Sequence, residues 1–130
     1  MTDIRTTLRP APFLKGAGRL PYEDMAAAVL GKKYDLSLVL CGDKLAQKIN
    51  RQYRNKTYYP NVLSFELDTE NGEIFLNMRK AQREAKQLGT TEKKRIALLY
   101  VHGLFHLKSM KHSDAMEKAE QKVLRSFGLQ

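Results

Sequence analysis

Residues 96–107 read IALLYVHGLFHL, an apolar run that is interrupted by two histidines. At helical spacing the apolar side chains cover this segment almost all the way round, and a helix of that kind is buried at the centre of its domain. Thr90 or Thr91 is suited to begin the helix, because a threonine side chain can accept a hydrogen bond from the first backbone N–H groups. We therefore expect the chain to fold around one central helix that carries His102 and His106.

The flanking segments alternate between strand and helix patterns. Asp43 is a suitable N-cap for a helix in which Leu45, Ile49 and Tyr53 share one face, which we expect to point inward. The dipeptide Asn71-Gly72 is typical of a hairpin turn. Strand patterns occur at 3–8, 34–41, 62–65 and 73–76, and helix patterns at 22–30, 43–53, 79–88, 91–107 and 113–127. These patterns predict a single α+β domain with a small mixed sheet of about four strands and about five helices.

The composition is that of a globular chain. Of its 130 residues, 42% are hydrophobic and 28% are charged, a balance typical of a folded domain. The single cysteine, Cys41, excludes an intramolecular disulfide and a cysteine-rich zinc module. The first residues, MTDIRTTLRP, lack the apolar core of a secretory signal, and no segment reaches the ~18 apolar residues of a membrane span. We therefore expect a cytoplasmic protein without a membrane partner.

The charge balance favours a polyanionic partner. Lys and Arg total 23 against 14 Asp and Glu, which gives a net charge of +9. Two basic segments, 44–56 and 79–95, are separated by an acidic group within 66–73. Since a positive surface attracts phosphate backbones, this pattern predicts a nucleic-acid-binding face, with the acidic group lying elsewhere.

All three histidines, His102, His106 and His112, lie in one short segment. His102 and His106 are four residues apart and project from one helix face, and a turn after the helix can bring His112 beside them. Three imidazoles with an open fourth position form the catalytic type of zinc site. The alternative is a hydrogen-bonded pair in the core and a third histidine on the surface. Gly103 stands where zinc proteases of the His-Glu type carry their base, and a glycine there indicates a close approach of backbone or substrate.

Three sequence blocks resemble those of the YbeY endoribonucleases, the bacterial rRNA maturation factors. Residues 102–112 are similar to the family signature His-Gly-x-x-His-Leu-x4-His. Residues 49–65, INRQYRNKTYYPNVLSF, resemble a second block, and residues 72–74, GEI, followed by a basic helix, resemble a third. The resemblance covers residues 34–129 and leaves residues 1–30 without a counterpart.

From the chain length we expect one domain over residues 1–130, in which residues 1–30 are poorly assigned. The resemblance implies a zinc-dependent endoribonuclease that is specific for single-stranded RNA. It implies one Zn2+ per chain, held by His102, His106 and His112, with Arg54 as the arginine of a basic cleft. It also implies a role in maturation of the small-subunit rRNA 3′ end and in ribosome quality control. The implied partners are an rRNA precursor and the ribosome or its small subunit.

The chain departs from the family in two places. Ser109 and Lys111 stand where the family usually has Gly and Asp, so a carboxylate that could orient His112 is missing. The segment Thr57-Tyr58-Tyr59-Pro60 replaces the family's Asp-x-Pro-Thr. The first departure affects the orientation of His112, an expected metal ligand. The second affects the shape of the wall of the expected basic cleft.

The remaining candidate residues are assigned by their chemistry. Arg54 can bind a phosphate with two hydrogen bonds and stabilise charge in the transition state. Tyr58 can stack on an unpaired base. The sequence identifies no carboxylate base beside the histidines, and either water or the RNA 2′-OH can be the nucleophile. The residues expected to bind substrate are Lys44, Lys48, Arg51, Lys56, Tyr58, Asn61 and Ser64.

Two other functions compete with this interpretation. A non-catalytic, metal-containing RNA- or ribosome-binding assembly factor would have the same basic face. Its metal would have no open coordination position for water or substrate. A metal-dependent hydrolase of a small phosphate ester is less well supported, because the chain has no Gly-rich phosphate loop and more basic charge than a small substrate needs. Cleavage of single-stranded RNA with and without a chelator separates an enzyme from an assembly factor.

Overall fold

The computed structural model describes residues 20–108 and 113–130, together with the backbone of residues 3–8. Within these ranges the chain forms five helices and a mixed sheet, which confirms the predicted α+β class. The strands are β1 (Asp3–Leu8), β2 (Asp35–Cys41), β3 (Val62–Asp68) and β4 (Asn71–Asn77). The helices are α1 (Tyr22–Leu30), α2 (Asp43–Arg54), α3 (Met78–Leu88), α4 (Glu92–Leu107) and α5 (Asp114–Ser126).

The described strands form one sheet in the order β1-β2-β4-β3. β2 pairs in parallel with β1 and β4, whereas β3 pairs antiparallel with β4 and forms an edge. On β2 the alternating side chains of Leu36, Leu38 and Leu40 are fully buried. Because alternate residues of a strand share one face, these leucines form an apolar surface within the core.

α4 is the central helix, as predicted. Thr91 caps it, since its side-chain oxygen accepts a hydrogen bond from the backbone N–H of Lys94 at 3.1 Å. Ile96, Tyr100 and Leu104 are fully buried. The helix packs against α1, α3, α5, β3 and β4. The position of α4 therefore determines where the histidines lie.

The prediction for the start of α2 is wrong. Gly42 is the N-cap, and Asp43 is the first helical residue. The two carboxylate oxygens of Asp43 instead accept hydrogen bonds from Arg83 of α3, both at 2.8 Å. These hydrogen bonds hold the pKa of the Asp43 carboxyl below its ordinary value. Asp43 therefore joins two helices and does not cap its own.

The predicted inward face of α2 is correct only in part, because Leu45 and Ile49 are half-buried. Its buried side chains are Ala46 and Asn50, whereas Tyr53 is 65% exposed. The helix contacts α3, β3 and β4. Tyr53 lies in the last turn of the helix and contacts Phe65 of β3 edge to face, with ring centroids 5.7 Å apart.

The turn between β3 and β4 differs from the prediction as well. Residues 69–70 form the turn, and Asn71 and Gly72 begin β4. Asp68 holds the turn by accepting a hydrogen bond from the Asn71 side chain at 2.6 Å. A Cβ at Gly72 would clash with the Tyr34 hydroxyl oxygen and would lie 2.9 Å from Leu107 of α4. The glycine therefore leaves room for both the Tyr34 ring and the end of α4 against the sheet.

Candidate active site

Gly103 allows α4 and β3 to approach each other closely. A Cβ at this position would lie 3.0 Å from Ser64 Oγ and 3.2 Å from Val62 Cγ2, both on β3. Ser64 Oγ also donates a hydrogen bond to the Gly103 carbonyl at 3.1 Å. The glycine thus serves a helix–strand contact, which brings the neighbouring His102 beside β3.

The ring nitrogens of His102 and His106 converge. Their Nε2 atoms are 2.9 Å apart, and the planes of the two rings differ by 84°. On its other side, Nδ1 of His102 lies 2.6 Å from Oε2 of Glu120 in α5. With a carboxylate there, Nδ1–H donates a hydrogen bond to it, which leaves the lone pair of His102 on Nε2. The helix pair α4–α5 therefore orients one imidazole toward the other.

Glu120 is a site residue that the sequence did not reveal: residue spacing identifies no carboxylate base beside the histidines, and the structure places Glu120 next to His102. Its side chain is buried, with the whole residue 5% exposed. Met116, Glu120 and Leu124 follow each other at four-residue spacing and are the buried residues of α5. A carboxylate that interrupts an apolar helix face needs a partner in the core. That interruption is the sequence signal that could have identified it.

The two histidines fit a metal site built on imidazoles. Zn2+ prefers such nitrogen ligands, and a carboxylate behind the histidine commonly supports them. Among the described residues, no group of three His, Cys, Asp or Glu side chains could hold a metal ion. His112, Ser109 and Lys111 lie outside the described residues. The third ligand therefore stays a prediction.

A cavity of about 480 Å3 opens beside the histidine pair. It brings together residues from three elements and the loop before β3, because the end of α2, the strand β3 and one face of α4 meet there. Besides the two histidines, three site residues predicted from sequence, Arg54, Asn61 and Ser64, lie in its wall. The polar and charged lining residues are Arg54, Asn61, Ser64, Glu66, His102 and His106.

Glu66 is a second carboxylate near the histidines that was not predicted. The charge pattern assigned it to an acidic group apart from the basic face, yet it lines the same cavity as Arg54. The chain places opposite charges around this cavity because β3 and the end of α2 converge there.

Asn61 and Ser64 also have partners within the protein. Nδ2 of Asn61 donates a hydrogen bond to Glu84 of α3 at 3.2 Å. Glu84 in turn accepts a hydrogen bond from Arg95 of α4 at 2.9 Å, and both of these side chains are mostly buried. Together with the bond from Ser64 to Gly103, these contacts hold the cavity wall in place.

The other predicted substrate-binding residues lie outside the cavity. Lys44, Lys48 and Arg51 line a separate shallow depression on the outer surface of α2. Lys56 and Tyr58 lie on the exposed loop 55–60, which connects α2 to β3. The residues predicted to bind substrate therefore lie in two places, the cavity and a basic surface next to it.

Loop 55–60 is held by hydrogen bonds to its carbonyl groups. The four consecutive carbonyls of residues 57–60 each accept a hydrogen bond from a side chain. The donors, in that order, are Gln47, Asn50, Lys80 and Asn77. The side chains of Tyr58 and Tyr59 are nevertheless exposed, at 53% and 44% for the whole residues. The loop thus presents two aromatic rings to solvent on an ordered backbone.

An imidazole pair, a guanidinium and a carboxylate around one cavity are groups that metal-dependent hydrolases of phosphodiesters use. Residues 21–128 match the family model described as Endoribonuclease YbeY. A relative of that name in Heliobacterium modesticaldum is 29% identical over 100% of this chain and 95% of its own length. Another, in Helicobacter pylori, is 36% identical over 79% of each chain. The chain therefore belongs to the YbeY family of endoribonucleases, which are RNA-cleaving hydrolases.

A solved structure supports the fold. The solution structure of a Thermotoga maritima protein is similar to this chain with a TM-score of 0.63 and 19% sequence identity. The similarity covers 95% of this chain and 87% of that one. None of the described helices is long and apolar enough to span a membrane.

Proposed function

We propose that this chain is a zinc-dependent endoribonuclease that cleaves single-stranded RNA. The observation that carries the proposal is the convergence of His102 and His106, whose Nε2 atoms are 2.9 Å apart, at the cavity that also contains Arg54. A phosphodiester is cleaved more readily where positive groups stabilise the charge that develops on its oxygens. Membership of the YbeY family supports RNA as the substrate.

The proposed ligands of one Zn2+ per chain are His102, His106 and His112. Zn2+ bound there would supply a Lewis acid for the phosphodiester. Glu120 holds His102 in the tautomer that has its lone pair on Nε2, which is the form that can bind a metal. The assignment of His112 rests on the family signature.

Arg54 is the proposed catalytic cation. It ends α2 at the cavity, and within the described part of the chain its guanidinium forms no ion pair or hydrogen bond. The group can therefore bind two phosphate oxygens and stabilise the negative charge of the transition state. A lysine at this position would lack the planar pair of donors.

The surface next to the cavity supports a single-stranded substrate. Loop 55–60 joins two cavity residues, Arg54 and Asn61, and presents the exposed ring of Tyr58. Such a ring can stack on an unpaired base, whereas bases within a duplex are already stacked. The proposed phosphate contacts outside the cavity are Lys44, Lys48, Arg51 and Lys56, and Asn61 and Ser64 are proposed to contact substrate at the cavity wall.

We further propose rRNA precursors as the substrate, with cleavage at the 3′ end of small-subunit rRNA and a role in ribosome quality control in the cytoplasm. One domain spanning residues 1–130 would carry this activity and would contact the ribosome or its small subunit. The support is family membership and the net charge of +9, which favours binding to RNA.

The test compares the wild type with His106→Ala and Arg54→Ala. Zinc content is measured by mass spectrometry, and single-turnover cleavage of single-stranded RNA is measured with and without a chelator. We expect one zinc per wild-type chain and cleavage that the chelator abolishes. His106→Ala should lose most of both, whereas Arg54→Ala should keep its zinc and lose roughly 10²-fold in rate. Arg54→Lys should restore little of that rate.

Lys108→Ala is the control, because Lys108 is an exposed residue at the end of the same helix as His106. It should retain both zinc and cleavage. Unchanged zinc content in His106→Ala would show that the ligand assignment is wrong. A wild-type protein that holds zinc and binds RNA but cleaves none would support the RNA- or ribosome-binding assembly factor instead.

A further inference from the structure

We propose that Glu66 is the general base of the cleavage reaction, a role that rests on the proposed endoribonuclease function. Its carboxylate would take the proton from the hydroxyl that attacks the phosphorus atom. Three features support this role: the position of Glu66 on β3, the absence of competing contacts among the described residues, and the charge of its surroundings.

The strand alternation places Glu66 on the side of β3 that faces the histidines. Val62 and Ser64 lie against Gly103 of α4, and Leu63 between them is buried on the opposite face. Since alternate side chains share a face, Glu66 follows Val62 and Ser64 toward α4. It lines the cavity together with His102 and His106.

The Glu66 carboxylate has no competing partner among the described residues, where it forms no hydrogen bond or ion pair. Other acidic residues of the same hairpin are engaged. Asp68 accepts a hydrogen bond from Asn71, and Glu73 accepts one from Ser37 at 3.1 Å. Glu66 is therefore available to accept a proton from a bound substrate or water.

The surroundings make a purely substrate-binding role for Glu66 unfavourable. In the described structure it is the only acidic side chain that lines the cavity, in a chain with a net charge of +9. A carboxylate repels the phosphates of RNA and weakens binding. A group that weakens binding but can accept a proton fits a role in the chemical step.

The same proton transfer to Glu66 can serve either nucleophile, water or the RNA 2′-OH. As the attacking oxygen of water or of the RNA 2′-OH forms a bond to phosphorus, its O–H bond breaks and the proton moves to a carboxylate oxygen of Glu66. The bond from phosphorus to the leaving oxygen breaks, and that oxygen takes a proton from solvent. Glu66 then releases its proton to solvent, so each cycle restores the carboxylate.

The test measures single-turnover cleavage by Glu66→Gln and Glu66→Ala with saturating zinc. Glu66→Gln should cleave roughly 10²–10⁴-fold more slowly than the wild type. Its zinc content should be unchanged, and its affinity for RNA should be equal or higher, because a negative charge is removed. Added formate should partly restore cleavage by Glu66→Ala, since a small carboxylate can occupy the space of the missing base. The wild type should show no gain from formate.

Glu70→Gln is the matched control, because Glu70 is an exposed glutamate in the turn of the same hairpin and lies outside the cavity. It should cleave like the wild type. Near wild-type cleavage by Glu66→Gln, loss of its zinc, or failure of formate to restore Glu66→Ala would each overturn the proposed base. Absence of cleavage by the zinc-loaded wild type would overturn the endoribonuclease function itself, and the Glu66 role with it.

Discussion

The geometry of the histidine pair depends on which nitrogen of His102 carries the proton. Glu120 lies 2.6 Å from Nδ1 and so directs the lone pair of Nε2 toward His106. A charged carboxylate also makes the imidazole a stronger electron donor than a neutral acceptor would. Glu120 therefore acts as a positioning residue, although it lies on a different helix from both histidines.

Glu120→Gln should weaken zinc binding roughly 10–100-fold, because a neutral amide supports the imidazole less well. Affinity is measured by competition with a chromogenic chelator, which needs no activity assay. Glu117→Gln is the control, since Glu117 is exposed on the same helix. Thermal unfolding of both variants confirms that the buried substitution leaves the protein folded. Equal zinc affinity in the two variants would contradict the positioning role.

At the scale of secondary-structure elements, Asn77 connects the pieces that shape the loop beside the cavity. Its side-chain oxygen caps α3 by accepting a hydrogen bond from the backbone N–H of Lys80 at 3.1 Å. Its amide nitrogen donates to the carbonyl of Pro60 at 3.0 Å and to Asp43 at 2.9 Å. The residue is 1% exposed, so water cannot replace these bonds. One buried amide thus joins β4, α3, α2 and the loop.

Asn77→Ala should lower the free energy of unfolding by about 2 kcal/mol or more, because it removes a helix cap and leaves a buried carbonyl without its donor. Urea denaturation measures the change. Gln87→Ala, which removes an exposed amide from the same helix, should change stability by less than about 0.5 kcal/mol. A similar effect of the two substitutions would show that the hydrogen bonds of Asn77 contribute little to the free energy of unfolding.

At the scale of the whole molecule, the basic charge is spread over more than one surface. Lys44, Lys48 and Arg51 lie on the exterior of α2, which ends at the cavity. α5 carries basic side chains at the same spacing, Lys118, Lys122 and Arg125, around a depression outside the cavity. If RNA contacts only the α2 surface, removing the three basic charges of α2 will weaken RNA binding. Removing the three charges of α5, which have the same spacing, will not.

Replacing Lys44, Lys48 and Arg51 by Gln should weaken RNA binding and reduce its salt dependence. Each lost phosphate contact lowers the slope of log affinity against log salt by about 0.7 for a single strand, so the triple variant should lower it by about 2. Equilibrium binding over a range of salt concentrations measures the slope. The matched triple variant of Lys118, Lys122 and Arg125 should leave it near the wild-type value. Equal effects of the two variants would show that binding follows net charge alone.

Residue spacing along the chain was sufficient to predict the α+β class, the buried position of α4 and the shared face of His102 and His106. Helical periodicity and capping act between near neighbours, so they can be deduced without the fold. The YbeY signature is local for the same reason. The exposed position of Tyr53 could not be predicted, because its spacing on α2 does not show how far the neighbouring elements cover that helix.

The tertiary structure alone brought the two carboxylates to the histidines. Glu120 comes from α5 and Glu66 from β3, and both meet α4 only through packing between elements. The same packing makes Gly103 a contact point with β3 and ties loop 55–60 to α2 and α3. Helix and strand patterns specify which side of an element is apolar, but they do not specify which elements become neighbours. The sequence alone therefore determined the histidine motif and the fold class, and the tertiary structure decided which acidic groups surround that motif.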